Sequence, residues 1–232
     1  MDDNGLSFPV LLDKFFRVMG SGKAYLNLVY LLISFPLGIF YFVYLITGLS
    51  VGLPLIFLWV GIPILLFVGV GWWLLAAFER EMAIRWLNEE ISPMTEPSTE
   101  GVDLWTRFKD YFLNPVTWKG LLYLFLKFPL GIFSFVVVVT LVSITVSFLA
   151  TPVLYQSFSA FTPVVDLGND AIWMVDSIND ALLFSVIGVF LWPASLHAIN
   201  AVTWLHAKMA KYLLGMEWPG KSASAEVEIT EG

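Results

Sequence analysis

The chain has no cysteine, which removes disulfides and thiolate metal sites at once. It is almost as poor in histidine: His197 and His206 are the only two, and neither lies in an HExxH pair. There is no paired intramembrane aspartate, and "GSGK" at residues 20–23 lacks the strand-to-helix junction of a phosphate loop, so it reads as a linker. No enzymatic activity, cofactor or metal site is therefore expected. Charge is scarce as well, at 13% of 232 residues against 58% hydrophobic and a mean hydropathy of +0.80. A soluble domain of this length would need more polar surface, so the composition is that of a membrane protein whose first partner is the lipid bilayer. The net charge of −7 argues against nucleic acid as a partner.

What is present is long apolar runs. Four windows, 26–48, 53–78, 120–149 and 181–205, can each cross a hydrocarbon core of roughly 30 Å, which takes about 20 helical residues. The first follows an acidic "MDDN" start, exceeds a signal-peptide core and lacks a small-residue cleavage site, so it is expected to remain as an anchor. Lys127 is the one charge well inside a window. The other cations sort sharply. Lys14, Arg17 and Lys23 precede the first span; Arg80, Arg85, Arg107, Lys109 and Lys119 lie between the second and third; Lys208, Lys211 and Lys221 follow the fourth. Residues 49–52 and 150–180 hold none. Since cytoplasmic segments retain Lys and Arg, both termini are expected on the cytoplasmic side of the cell membrane.

The stretch "SFPLGIFYF" at 34–42 returns as "KFPLGIFSF" at 127–135. Sliding the chain by 93 residues makes fifteen of the forty positions from 11 to 50 identical without a gap. Further on, "EREMAIRWLN" (79–88) and "HAKMAKYLLG" (206–215) correspond at an offset of 127. The chain thus reads as two tandem units. A cytoplasmic interfacial helix occupies 1–23 and a first two-span unit 24–91. A linker with a second interfacial helix fills 92–119, a second two-span unit with an extracytoplasmic loop at 150–180 fills 120–215, and an acidic cytoplasmic tail fills 216–232. In "FPVLLDKFFRVM" the apolar residues fall at helical spacing with Asp13, Lys14 and Arg17 opposite, as suits a helix in the headgroup plane, and "VDLWTRFKDYFL" repeats that design. The fold class expected is all-α, with four transmembrane helices as two parallel repeats about an axis along the membrane normal.

In each unit a proline, Pro36 or Pro129, interrupts the first membrane helix, removing a backbone donor and inviting a kink. Gly38 and Gly131, two residues on, allow close helix approach. The motif, with Phe35 and Phe128 at its start, reads either as a packing seam or as a hinge.

At these residues the chain resembles the Putative sensor domain family, membrane modules of archaea and bacteria often found N-terminal to two-component histidine kinases. The resemblance rests on "YLLISFPLGIFYFVYLITGLSVGL", "WVGIPIL", "AAFEREMAIRWL", "NPVTWKGLLYLFLKFPLGIFSFVVVVTLVS" and "AKMAKYLLG", and covers about residues 24–215. It implies a membrane domain that perceives a stimulus and passes it to a cytoplasmic output. Only seventeen residues follow Gly215, too few for a kinase, so the expectation is a stand-alone module. Its partner would be a separate histidine kinase or other cytoplasmic regulator, with a homo-oligomer a further option.

Polar groups inside the membrane are the remaining candidates, because they are expensive there. Lys127 could snorkel to the cytoplasm or join His197, Asn200 and Thr203, which recur every three residues, in a small polar pocket. Outside, Asp166, Asp170, Trp173, Asp176 and Asp180 form a candidate ligand surface; if that part is helical, Asp176 and Asp180 share a face with Trp173 one turn earlier. The reading is a sensor-type module acting through helix packing. The alternative is a small transporter or permease-like protein whose polar pathway passes Lys127 and His197.

Overall fold

Hydrocarbon offers no partner for backbone polar groups, so a chain this apolar must satisfy them within helices. The computed structural model describes residues 8–91, 115–157, 164–166, 172–175 and 177–215. Among them are five α-helices: α1 Phe8–Arg17, α2 Gly22–Gly52, α3 Gly61–Leu87, α4 Pro115–Ser157 and α5 Ile178–Leu214. The last four are long and apolar enough to cross a membrane, which makes this a helical multi-pass membrane protein. The expected second interfacial helix in the linker and the acidic tail lie outside the described residues.

α2, α4 and α5 outrun the expected windows at both ends, while α3 is shifted toward the C-terminus of its window. Between α2 and α3 the chain is not yet α-helical at residue 53: a tight 3₁₀ turn occupies Pro54–Leu58, and Trp59 takes a left-handed φ of 62°. Gly61 then opens α3 where any Cβ would collide with the backbone of Gly52 and Ile56. At the far end Asn88, a residue type that tolerates the left-handed region, closes α3 at φ 57°. Both "FPLGIF" prolines lie inside unbroken helix.

Between α4 and α5 the otherwise helical chain forms one short strand pair. Val164–Asp166 (β1) pairs antiparallel with Ile172–Met174 (β2), Val165 opposite Trp173, in keeping with the strand preference of Val, Ile and Trp. Trp173 is therefore on a strand, and helix begins only at Ile178.

The chain packs as two compact units. The first comprises residues 1–28 and 136–201. In it Val18 and Ala24 cluster with Leu196, backed by Met19 and Trp192, and the rings of Phe16 and Phe190 meet edge to face at 5.4 Å. Thr145 and Ser195 share a 3.0 Å hydrogen bond between α4 and α5. Farther along, Val175, Ala181 and Phe184 pack with Phe148 and Tyr155.

The second unit comprises residues 29–135 and 202–232 and holds both "FPLGIF" motifs. Here α2 and α3 run antiparallel, Gly48 seated on Val68 and Tyr41 reaching Glu79. Where α2 crosses α4 the two motifs exchange partners, Phe35 stacking on Phe135 at 4.6 Å and Phe42 on Phe128 at 4.4 Å.

Candidate functional site

The site grows from that crossing. A Cβ added at Gly38 would lie 2.8 Å from the Lys127 carbonyl oxygen and 3.0 Å from the Phe128 Cα; one added at Gly131 would lie 2.7 Å from the Ser34 carbonyl oxygen and 3.1 Å from the Phe35 Cα. Each glycine thus sits on the start of the other motif, and backbone meets backbone where a side chain would hold the helices apart.

Such close approach carries the Lys127 side chain into the interior rather than toward water. Its Nζ donates to Glu79 Oε2 at 2.8 Å and to the Tyr30 hydroxyl at 2.9 Å, and lies 4.7 Å from the Tyr30 ring centroid. Glu79 in turn accepts from the Tyr41 hydroxyl at 2.9 Å on Oε1 and from the Tyr123 hydroxyl at 2.8 Å on Oε2. Lys127 and Glu79 are both fully buried. A buried ion pair is tolerable only when the remaining lone pairs and protons are also satisfied, and three tyrosines from α2 and α4 do this. The snorkelling reading of Lys127 is corrected: a carboxylate from α3 was within reach.

Beside the cluster, on α5, His206 is fully buried with its Nε2 2.7 Å from the Ser134 hydroxyl and its ring edge-on to Tyr30 at 5.7 Å. Past Glu79 and His206 the helices leave the cluster together. Glu89 pairs with Lys208 at 3.2 Å and Lys211 at 3.8 Å, and Ile91 faces Gly215.

The Putative sensor family model matches residues 30–214, well over half of the chain. The chain belongs to this family. The matched stretch begins at Tyr30 and so spans all of this sensor-family member's buried cluster and the reciprocal crossing. No curated protein and no solved structure matches.

Other candidates from the sequence are placed as follows. Phe35, Pro36, Gly38, Phe128, Pro129 and Gly131 are brought together at the crossing, within the second unit. His197 and Asn200 belong to the first unit, where His197 stacks on Phe15 at 5.7 Å and contacts its carbonyl, and Asn200 accepts from Asn27 at 2.8 Å. Thr203 is buried in the second. Asp166 lies on β1, while Asp170 and Asp176 fall outside the described residues. Asp180 caps its own helix: its carboxylate accepts from the Ser177 hydroxyl at 2.8 Å and backbone N–H at 3.1 Å, and its N–H donates to the Ser177 hydroxyl at 3.2 Å.

Sequence reasoning missed Glu79, Tyr30, Tyr41, Tyr123 and His206. A signal existed: an intramembrane lysine calls for an acidic partner, and Glu79 is the residue immediately after the second apolar window.

Proposed function

We propose that this sensor-family protein is a non-enzymatic input module of the cell membrane. It perceives a stimulus at or outside the bilayer and passes it, through repacking at the "FPLGIF" crossing, to a separate cytoplasmic partner such as a histidine kinase or other regulator. Two tandem units, the first opened by the amphipathic helix Phe8–Arg17, supply the scaffold. The sorting of cations supports cytoplasmic termini, and the ion pairs joining the ends of α3 and α5 support both exits lying on one face.

The observation that carries this reading is the Lys127–Glu79 pair. The backbone of Lys127 is the surface on which Gly38 rests, and its side chain grips α3 eight residues before that helix ends at Leu87. Any change at the crossing is therefore transmitted to the α3 exit through a buried, hydrogen-bonded link, not through exposed and easily screened charges. Full burial with protein partners also supports signalling over passage of a solute beside Lys127.

Spin labels at Arg85 and Lys211 in lipid bilayers test it. Lys127→Met should shift the distance distribution between the exits. An unchanged distribution in a folded variant would remove the crossing from any signalling role.

A further inference from the structure

His206 stands where Glu79 stands in the first repeat, and the two residues make matching contacts. Tyr41 bonds to Glu79 as Ser134, 93 residues on, bonds to His206; Tyr123 bonds to Glu79 as Tyr30 packs on His206. One copy of the site is filled by a lysine. At the corresponding position the other copy has Ser34, whose hydroxyl is turned to the Tyr30 carbonyl at 2.9 Å.

The hydrogen bonds at Ser134 assign the proton to one imidazole nitrogen. The single Ser134 hydroxyl proton goes to the Leu130 carbonyl at 2.7 Å, so Ser134 can only accept from His206 Nε2–H. Nδ1 is then a bare lone pair, and it is buried with no hydrogen-bond partner. An orphaned buried acceptor calls for a physical account. Its smallest ligand is a proton, and histidine is the side chain whose ordinary titration lies near neutrality.

Resting on the sensor reading for its consequence though not for its chemistry, we propose that Nδ1 of His206 is a proton-binding site whose occupation loosens the end of α5 from the crossing. Uptake of a proton from water converts the neutral imidazole to an imidazolium with a new N–H and no acceptor for it. The groups facing it decide the outcome. From α4 come the Lys127 ammonium, which repels a second positive charge, the Ser134 hydroxyl and the Leu130 carbonyl, which accepts a hydrogen bond from the ring; from α2 comes the Tyr30 ring, already tied to Lys127. The one carboxylate of the cluster, Glu79 on α3, is committed to Lys127, Tyr41 and Tyr123. Two buried cations would then share one anion, and an uncompensated buried charge favours any arrangement that lets it reach water. The segment His206–Leu214 can supply one, because what ties it to α3 includes the partly exposed pairs of Lys208 and Lys211 with Glu89, which hold weakly. A proton binds the opened state better and so shifts the population toward it.

The test uses the full chain in lipid bilayers. In a His197→Gln background His206 is the only imidazole, and its ¹⁵N resonances are followed from about pH 8 to about pH 4.5, a range that brackets ordinary histidine titration. The expected result is a neutral ring protonated on Nε2 at high pH, converting to the doubly protonated form as pH falls. Spin labels at Arg85 and Lys211 should report a wider separation over the same interval, and His206→Gln, which keeps a donor for Ser134, should abolish that widening. A ring that stays neutral throughout overturns the binding site, as does a high-pH ring protonated on Nδ1. A ring that titrates while the exits stay still, or exits that widen equally in His206→Gln, overturns the coupling. The ring titration is independent of any cytoplasmic partner, so it stands or falls separately from the sensor reading.

Discussion

Glu79 and Lys127 come from different helices, 48 positions apart in the chain, and meet at 2.8 Å with no exposed surface on either. Neither can lose the other cheaply. Lys127→Met should leave the Glu79 carboxylate buried with two tyrosine hydroxyls, and Glu79→Gln should leave a buried ammonium; each is expected to destabilise by about 3–5 kcal/mol. The double variant should recover most of that loss. Unfolding in mild detergent, run as a double-mutant cycle, measures the coupling, and additive single effects would count against a direct pair.

The reciprocal glycines give a symmetric expectation. Gly38→Ala and Gly131→Ala both drive a methyl into backbone of the other motif, so each should cost about 1–3 kcal/mol despite alanine's better helix propensity. At Gly69 a Cβ meets nothing within 4 Å, and Gly69→Ala should be neutral or stabilising by up to about 1 kcal/mol. Thermal melts of the three variants side by side decide the matter.

Much of the architecture was legible because lipid imposes a simple rule: apolar length gives the spans, and three of the four windows lie within the observed helices, the second beginning eight residues before α3. The double "FPLGIF" was legible as a place of close approach because a glycine two residues after the proline carries no side chain to hold another helix off. The exchange of phenylalanine partners across the crossing was not, since cation sorting speaks about loops and carries no information on which rings of two helices meet. Glu79 was missed for a related reason. A hydropathy window ends at the first carboxylate, so a buried acid at the edge of a span is read as the start of the exit. The strand pair at 164–174 was hidden by its brevity, three residues a side.

If the motif is a hinge as well as a seam, the prolines should matter more to geometry than to stability. Pro36→Ala and Pro129→Ala each restore a helical donor inside an unbroken helix, so stability should hold or rise. The separation of labels at Arg85 and Lys211 should nevertheless change. Identical distributions in both variants and the parent would leave the motif as packing alone.

Topology can be probed at two described positions. Phe57, 90% exposed in the turn between α2 and α3, is expected outside the cell, and Glu90, just beyond α3, inside. Cysteines at these positions in this otherwise cysteine-free chain should therefore react oppositely with an impermeant thiol reagent in intact cells. Equal reaction at both would rule out α3 as a complete span.

The exchange of contacts at the crossing, Gly38 onto the second motif and Gly131 onto the first, has the form of an isologous interface: the same surface used twice, face to face. Ordinarily such an interface joins two copies of one subunit. Here both halves are written into a single polypeptide, which frees them to diverge, and they have done so where it matters chemically, with Ser34 against Lys127 and Glu79 against His206. The symmetry of the contact is thus joined to an asymmetry of charge, one side of the interface holding the Lys127–Glu79 ion pair and the other the uncharged Ser34 beside His206.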